Sequence, residues 1–172
     1  ITSAPPEIDL SKTIAWKDGI VGRLNAGVSG LMKNAGVRAV SGRARFLDGK
    51  TVAVIDDTGE ESQIYAEFIV IATGPAPAEL PFMPFGGDVL SSTEALSLTE
   101  VPDSLAVVGG GYIGLELGTA FAKFGTKVTV IEAENHIMPN YDAPLIAPVE
   151  RRLKALGATV LTGTKVQGYA AG

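Results

Sequence analysis

Three glycines in the sequence, Gly109, Gly111 and Gly114, have the spacing of a phosphate-binding turn. They follow an apolar, β-branched run at 105–108, which predicts a buried parallel strand, and they open a helical pattern that Gly125 ends. In such a turn the first glycine permits a tight exit from the strand, and the second lets the backbone approach a pyrophosphate. The third glycine lets the helix pack close to the sheet. Because the helix also directs free N–H groups at the phosphates, these residues predict a dinucleotide site.

A carboxylate stands where the ribose of such a nucleotide is expected. The run Lys127–Ile131 (KVTVI) predicts the next strand, and Glu132 follows it, about 20 residues after Gly111. A carboxylate here can accept both hydroxyls of an adenosine ribose and repels the 2′-phosphate of NADP(H), and residues 133–136 contain no arginine to neutralise that phosphate. We therefore predict NAD(H) rather than NADP(H). The alternative is a tight turn that binds no ligand.

The composition argues against several classes of function. A formal net charge of −5 without a Lys/Arg cluster argues against a nucleic acid or an anionic membrane as partner. No apolar stretch approaches the roughly 18 residues of a membrane span, and residues 1–10 lack the features of a signal peptide, so we expect a cytoplasmic protein. The absence of cysteine excludes a disulfide or a thiol redox centre within these residues. The spacing of the carboxylates predicts no metal site.

The segment before residue 76 predicts one helix followed by an antiparallel meander. Residues 11–35 place apolar side chains at helical spacing, with Ser11 as the N-cap. Strand-like runs follow, and turn signals at 47–49 and 57–59 separate the earlier ones. The predicted strands are Val37–Val40, Thr51–Ile55, Gln63–Ala66 and Phe68–Ala72.

The rest of the chain predicts a parallel sheet. Prolines crowd the connection after Gly74, and a short helix with capping-box residues begins at Ser91. Beyond Glu132, residues 143–156 predict another helix and Thr159–Leu161 another strand, which completes a βαβαβ unit. The inward side chains of that helix are expected to be Leu145, Ile146, Val149, Leu153 and Leu156. We therefore divide the chain into domains 1–75 and 101–172, joined by a connecting segment 76–100, and expect further sequence on both sides.

The order of these pieces resembles the flavin-dependent pyridine nucleotide–disulfide oxidoreductases, and among them most of all the dihydrolipoamide dehydrogenases. The resemblance runs along nearly the whole chain and implies an α/β, Rossmann-like FAD/NAD(P)-binding fold. Residues 1–75 would be part of the FAD-binding domain, and residues 101–172 most of the NAD-binding domain. The most specific stretches are Phe68–Gly74 (FIVIATG), Leu90–Leu98 (LSSTEALSL), Val107–Gly118 (VVGGGYIGLELG), Val128–Glu132 (VTVIE) and Gly163–Val166 (GTKV).

The resemblance implies roles for named residues at both cofactors. Around NAD, the turn would wrap the pyrophosphate, Glu132 would hold the adenosine ribose and Val166 would lie against the adenine. Ala44, which would otherwise be an ordinary strand residue, matches a position whose backbone meets the FAD adenine, and Thr73, Gly74 and Pro75 match the turn that passes the flavin. The residues implied at the pyrophosphate and toward the nicotinamide are Gly109, Gly110, Gly111, Tyr112, Ile113, Gly114 and Glu116.

Three of the polar side chains have alternative interpretations. Glu116 would lie near the nicotinamide, but the helix dipole alone also favours a carboxylate at this position. Tyr112 either covers the flavin-facing pocket until nicotinamide displaces it or is a packed surface aromatic. His136 follows Glu132 in a loop near the adenosine end, so we do not expect it to act as an acid or base.

The implied activity belongs to a larger enzyme than this chain. Such an enzyme oxidises dihydrolipoamide, free or on the lipoyl domain of a 2-oxo acid dehydrogenase-type complex, and passes hydride through FAD to NAD⁺. It is a homodimer. The chain lacks the cysteine pair, the N-terminal FAD-binding glycine motif and the C-terminal domain with the catalytic histidine, so we expect it to be inactive alone, with no catalytic residue of its own. The alternatives are another reductase of the superfamily, such as an NADH oxidase or a mercuric or glutathione reductase, or a non-catalytic NAD(H)-binding module.

Overall fold

A computed structural model describes residues 8–170 of the chain. The chain divides into two compact units: residues 19–76 form one, and the residues up to Asp18 together with those from Pro77 form the other. The predicted domain limits at 75 and 100 stay predictions. None of the helices within residues 8–170 is long and apolar enough to cross a membrane.

The first unit contains the predicted meander. Helix α1 spans Leu10–Asn34, and only its residues from Gly19 onward belong to this unit. Three antiparallel strands follow in the order β1 (Arg43–Phe46), β2 (Thr51–Ile55) and β3 (Glu61–Tyr65). Aspartates form both turns, as the turn signals predict, because their carboxylates accept hydrogen bonds from backbone N–H groups. Asp48 accepts from Thr51 at 2.8 Å, and Asp56 accepts from Thr58 at 2.9 Å.

Two of the predicted strands are not formed. Val37–Val40 is irregular, and the first strand begins only at Arg43. Phe68–Ala72 is also irregular, with Phe68 and Val70 83% and 86% exposed. A continuous apolar run becomes a buried strand only where other strands flank it. Within the described part of this unit, both edges of β2 are already taken by β1 and β3, and no strand pairs with 68–72.

The predicted N-cap of α1 is also wrong by two residues. Asp9 caps the helix: its carboxylate accepts the backbone N–H of Lys12 at 3.0 Å, and Ser11 donates its hydroxyl to the same oxygen at 2.7 Å. The Lys12 ammonium, 2.8 Å from the other carboxylate oxygen, is the main cause that lowers the pKa of Asp9 to about 2. Aspartate satisfies the free N–H groups at a helix start as serine does, and it precedes the first helical residue here.

The second unit is the predicted βαβαβ arrangement. After the short helix α2 (Ser92–Ala95), the chain forms β4 (Ser104–Val108), α3 (Tyr112–Phe124), β5 (Lys127–Ile131), α4 (Ala143–Ala155) and β6 (Thr159–Leu161). The strands are parallel in the order β4–β5–β6. The capping box predicted for α2 is present, since Ser91 accepts from Thr93 and donates its backbone N–H to Glu94. These elements confirm the predicted Rossmann-type fold.

A single apolar cluster holds this sheet and its helices together. It contains Leu10 of α1, two side chains of the central strand β5, Ile137 of the loop after β5 and the inward side chains of α3 and α4, and Ile14 of α1 packs against it. Leu145 was expected inside but is 62% exposed. Ile146 and Leu153 lie seven residues apart on one face of α4, whereas Leu145 is about 100° further round the helix. The buried members are Leu10, Leu115, Phe121, Val128, Val130, Ile137, Ile146 and Leu153.

One buried hydroxyl in this unit has no hydrogen-bond partner among the described residues. Thr126 is 5% exposed, and its Oγ1 is unsatisfied. Because an unpaired buried polar group costs about 1–3 kcal/mol, we expect Thr126→Val to raise the free energy of unfolding by about 1 kcal/mol. Urea unfolding measures this change, and Thr159→Val, at an exposed strand position, should stay within about 0.5 kcal/mol of the parent chain. A Thr126→Val chain less stable than the parent would contradict the prediction.

Candidate nucleotide-binding site

The parallel register brings the glycine-rich turn and the predicted ribose carboxylate to one edge of the sheet. Val108 lies opposite Ile131, so the chain leaves β4 at Gly109 and β5 at Glu132 side by side. Gly109 donates its N–H to the carbonyl oxygen of Ile131 at 2.8 Å and turns out of the strand with φ +99°. This backbone conformation strains any residue with a β-carbon, so glycine is required at the exit from the strand.

The third glycine of the motif makes the closest approach between helix and strand. A β-carbon added to Gly114 would lie 2.8 Å from the carbonyl oxygen of Gly109 and 2.8 Å from Cγ1 of Val107. No such contact is tolerated without movement of the backbone. Gly114 therefore allows α3 to begin directly against β4, which places the start of the helix at the edge of the sheet.

The middle of the motif leaves open space in front of the helix. Gly111 is the N-cap of α3, with φ −75° and ψ 167°, and no side chain of the described residues caps the helix there. A β-carbon added to Gly111 would have no atom within 4 Å. The first N–H groups of a helix have no partner within the helix, so this end of α3 can receive an anionic group.

Glu132 is buried beside the turn, with 8% of its surface exposed. One carboxylate oxygen accepts the N–H of Gly110 at 2.7 Å, and the other accepts the N–H of Glu134 at 2.9 Å. An ionised carboxylate offers about four acceptor positions, so two remain for the hydroxyls of a ribose. The same side chain can thus fix the turn and bind a sugar.

The segment after Glu132 also contacts the turn, and the sequence analysis did not predict this contact. Met138 donates its N–H to the carbonyl oxygen of Gly110 at 2.8 Å, and Ile137, which is fully buried, lies against the same glycine. No short motif predicts a contact between residues this far apart. The one available signal was that Ile137 and Met138 are apolar residues within a loop.

The loop after β6 is joined to the loop after β5. Thr164 donates its N–H to the carbonyl oxygen of Glu132 at 2.9 Å, and Gly163 donates to that of Glu134 at 2.7 Å. Val166, the predicted adenine neighbour, follows two residues after Thr164 and is half-buried. The contact of Val166 with adenine stays a prediction.

The predicted residues of the first turns of α3 are exposed. Tyr112 is 57% exposed and Ile113 44%, and Glu116 is exposed on the next turn. The ring of Tyr112 is thus largely exposed among the described residues, and both interpretations of it stay predictions. His136 is also exposed, and its Nδ1 lies 3.0 Å from the carbonyl oxygen of Ile137. Residues 8–170 contain no cluster of three His, Cys, Asp or Glu side chains that could hold a metal.

The residues implied at FAD belong to the other unit. Ala44 lies in β1 opposite Val54, and its side chain is exposed. Thr73, Gly74 and Pro75 lie in an irregular exposed segment, where Gly74 has φ +72°. The structure leaves these backbones accessible, and their contact with FAD stays a prediction.

The residues at the edge of the β4–β6 sheet fit NAD(H) in two respects. The open, uncapped start of α3 at Gly111 suits a pyrophosphate, because free N–H groups and the helix dipole favour negative charge. The free acceptor positions of Glu132 suit two ribose hydroxyls and oppose a 2′-phosphate.

Comparisons with known proteins agree with this geometry. A family profile described as pyridine nucleotide-disulphide oxidoreductase matches residues 2–171. The chain is 49% identical over 163 residues to a dihydrolipoyl dehydrogenase of Pseudomonas aeruginosa, covering 95% of the chain and 35% of the relative. It is 45% identical over 162 residues to a dihydrolipoyl dehydrogenase of Geobacillus stearothermophilus, covering 94% and 34%. The chain thus spans about a third of the length of these relatives.

Solved structures show the same fold. The crystal structure of LpdA from Mycobacterium tuberculosis superimposes with a TM-score of 0.85 at 24% identity, over 95% of this chain and 37% of that one. The HOCl-induced flavoprotein disulfide reductase RclA from Escherichia coli gives a TM-score of 0.68 at 26% identity, over 94% and 37%. The resemblance predicted from the motifs is confirmed. The chain belongs to the pyridine nucleotide-disulphide oxidoreductase family.

Proposed function

We propose that this chain is the NAD-binding part, with a portion of the FAD-binding domain, of a dihydrolipoyl (dihydrolipoamide) dehydrogenase. Relatives of that name are 49% and 45% identical to it over most of its length. The observation that carries the proposal is the buried Glu132 carboxylate, hydrogen-bonded to the glycine-rich turn with acceptor positions left for a ribose. None of the relatives' names given above favours the mercuric or glutathione reductase alternatives.

The NAD site would use the turn and the strand end together. The backbone from Gly109 to Gly114 would bind the pyrophosphate, Glu132 would hold the ribose and Val166 would border the adenine. Tyr112, Ile113 and Glu116, exposed on the first turns of α3, would face the nicotinamide half. These residues bind and orient the dinucleotide, and the chemistry is supplied by the cofactors.

The proposed overall reaction converts dihydrolipoamide and NAD⁺ into lipoamide, NADH and a proton. The backbones of Ala44 and Thr73–Pro75 would hold FAD, and this group would supply the two-electron chemistry between the dithiol and the nicotinamide. A cysteine pair relays the electrons, and this chain contains no cysteine, so the pair must come from elsewhere in the enzyme. The proposal includes a cytoplasmic homodimer that acts on the lipoyl domain of a 2-oxo acid dehydrogenase-type complex.

Spectroscopy and turnover of the intact protein that carries this chain test the proposal. We expect the purified protein to show the visible absorption bands of a bound flavin and to reduce NAD⁺ when dihydrolipoamide is added. A protein that binds NADH but contains no flavin would instead be a non-catalytic NAD(H)-binding module. A flavoprotein that oxidises NADH without accepting electrons from dihydrolipoamide would be another reductase of the family.

A further inference from the structure

Gly110, the residue between the strand exit and the helix N-cap, is held on several sides. Its N–H donates to Oε2 of Glu132 at 2.7 Å, and its carbonyl oxygen accepts the N–H of Met138 at 2.8 Å. A β-carbon added to Gly110 would lie 2.9 Å from Cγ2 of Ile137 and 3.1 Å from Oε2 of Glu132. The segment from Glu132 to Met138 therefore contacts both polar groups and the Cα of this glycine.

The next residue of the turn is in the opposite situation. A β-carbon on Gly111 would have no atom within 4 Å, so this part of the turn is open. The turn is thus packed against the segment 132–138 at Gly110, whereas the space beside Gly111 is open. A backbone that must present its N–H groups to an anion gains from such support, because the donors are then positioned before the ligand arrives.

The support is rigid because Ile137 belongs to the hydrophobic core. Its side chain is fully buried in the same cluster as Leu115 of α3 and Val130 of β5. Met138 adopts φ +50°, a conformation that residues with a β-carbon rarely adopt, and its hydrogen bond to Gly110 holds it there. The loop is therefore fixed at both residues that contact the turn.

We propose that Ile137 is a positioning residue for dinucleotide binding, which acts by holding the peptide of Gly110 so that the turn presents its N–H groups to the pyrophosphate. Ile137 does not need to touch the nucleotide for this effect. The inference rests on the proposed NAD site and extends it to a residue outside the glycine motif and the ribose carboxylate.

Truncation of two fully buried side chains separates positioning from stability. Ile137→Ala and Leu153→Ala each remove a large core side chain, but Leu153 lies in α4 and is not among the side chains nearest the turn. In the intact protein that carries this chain, calorimetry should show NAD⁺ binding about tenfold weaker for Ile137→Ala. Leu153→Ala should lower Tm while its NAD⁺ affinity stays within twofold of the parent, both measured well below Tm. Equal NAD⁺ affinity in the two variants would overturn the inference.

A compensation experiment provides a second measurement, which remains decisive if a single truncation prevents folding. Gly110→Ala should weaken NAD⁺ binding because its methyl group meets Ile137 and Glu132. Adding Ile137→Ala removes Cγ2 and should restore at least threefold of the loss, whereas adding Ile137→Val keeps Cγ2 and should restore none. Restoration by neither or by both would overturn the inference. A parent protein that fails to bind NAD⁺ at all would instead refute the proposed function.

Discussion

Replacing Glu132 with alanine is expected to weaken both folding and NAD(H) binding. The change leaves the N–H groups of Gly110 and Glu134 without their acceptor, and the first of these is buried. We expect a loss of about 2–3 kcal/mol in the free energy of unfolding, at about 1–3 kcal/mol for each unsatisfied buried group. The lost hydrogen bonds to the ribose should weaken NADH binding about 10- to 100-fold, since hydrogen bonds to a charged group contribute about 1.5–3 kcal/mol.

Two further variants separate these effects of Glu132. Glu132→Gln keeps the shape and one acceptor oxygen, so it should lose less stability while reducing the discrimination against NADPH, because the repelling charge is gone. Glu134→Gln changes an exposed neighbour whose backbone, not its side chain, makes the hydrogen bonds, and it should behave like the parent. Urea unfolding and NADH titration measure both quantities. Unchanged stability and affinity in Glu132→Ala would show that the carboxylate neither fixes the turn nor binds the nucleotide.

The second large effect is expected at Gly114. A methyl group there would meet the carbonyl oxygen of Gly109 and Cγ1 of Val107 at 2.8 Å, so either the helix or the turn must move. Overpacking of this kind costs about 1–3 kcal/mol. Because the N-terminus of α3 is the proposed pyrophosphate site, we expect the displacement also to weaken NADH binding.

Gly118, one turn further along α3, provides the matched control for Gly114→Ala. Its added β-carbon would lie 3.4 Å from Val107 and Val128, an ordinary packing distance. Alanine is favoured over glycine by about 1 kcal/mol in a helix interior, so Gly118→Ala should be neutral or stabilising. Thermal unfolding should therefore give a lower Tm for Gly114→Ala and an unchanged or higher Tm for Gly118→Ala. Equal shifts would contradict the interpretation of Gly114 as the point of closest approach.

The βαβ unit was predictable from the sequence because its signals are local. The apolar run of β4, the glycine spacing and the end of α3 all lie within residues 104–125. The structure contains the strand, the turn and the helix that these signals predict. Glu132 was found for the same reason, since the register of two adjacent parallel strands brings it beside Gly109. Sequence spacing is enough to predict which residues lie side by side when the strands that carry them are neighbours both in the chain and in the sheet.

The wrong predictions depend on partners that a local pattern does not specify. Phe68–Ala72 has the composition of a buried strand, but such a run needs neighbouring strands, and none of the strands among residues 8–170 pairs with it. Leu145 is apolar at a plausible helical position, yet the face of α4 is set by Ile146 and Leu153. The contact of Ile137 with Gly110 was missed because it joins a loop to a turn across 27 residues, and no spacing rule describes it.

Titration of the protein with NADH and with NADPH measures the nucleotide preference that we assign to Glu132. We expect NADH to bind at least about tenfold more tightly, a difference of about 1.4 kcal/mol, because Glu132 has acceptor positions left for the ribose hydroxyls and would repel a 2′-phosphate. In Glu132→Gln this ratio should fall toward one. Equal or tighter binding of NADPH by the parent protein would contradict the assignment of this sheet edge as an NAD site governed by Glu132.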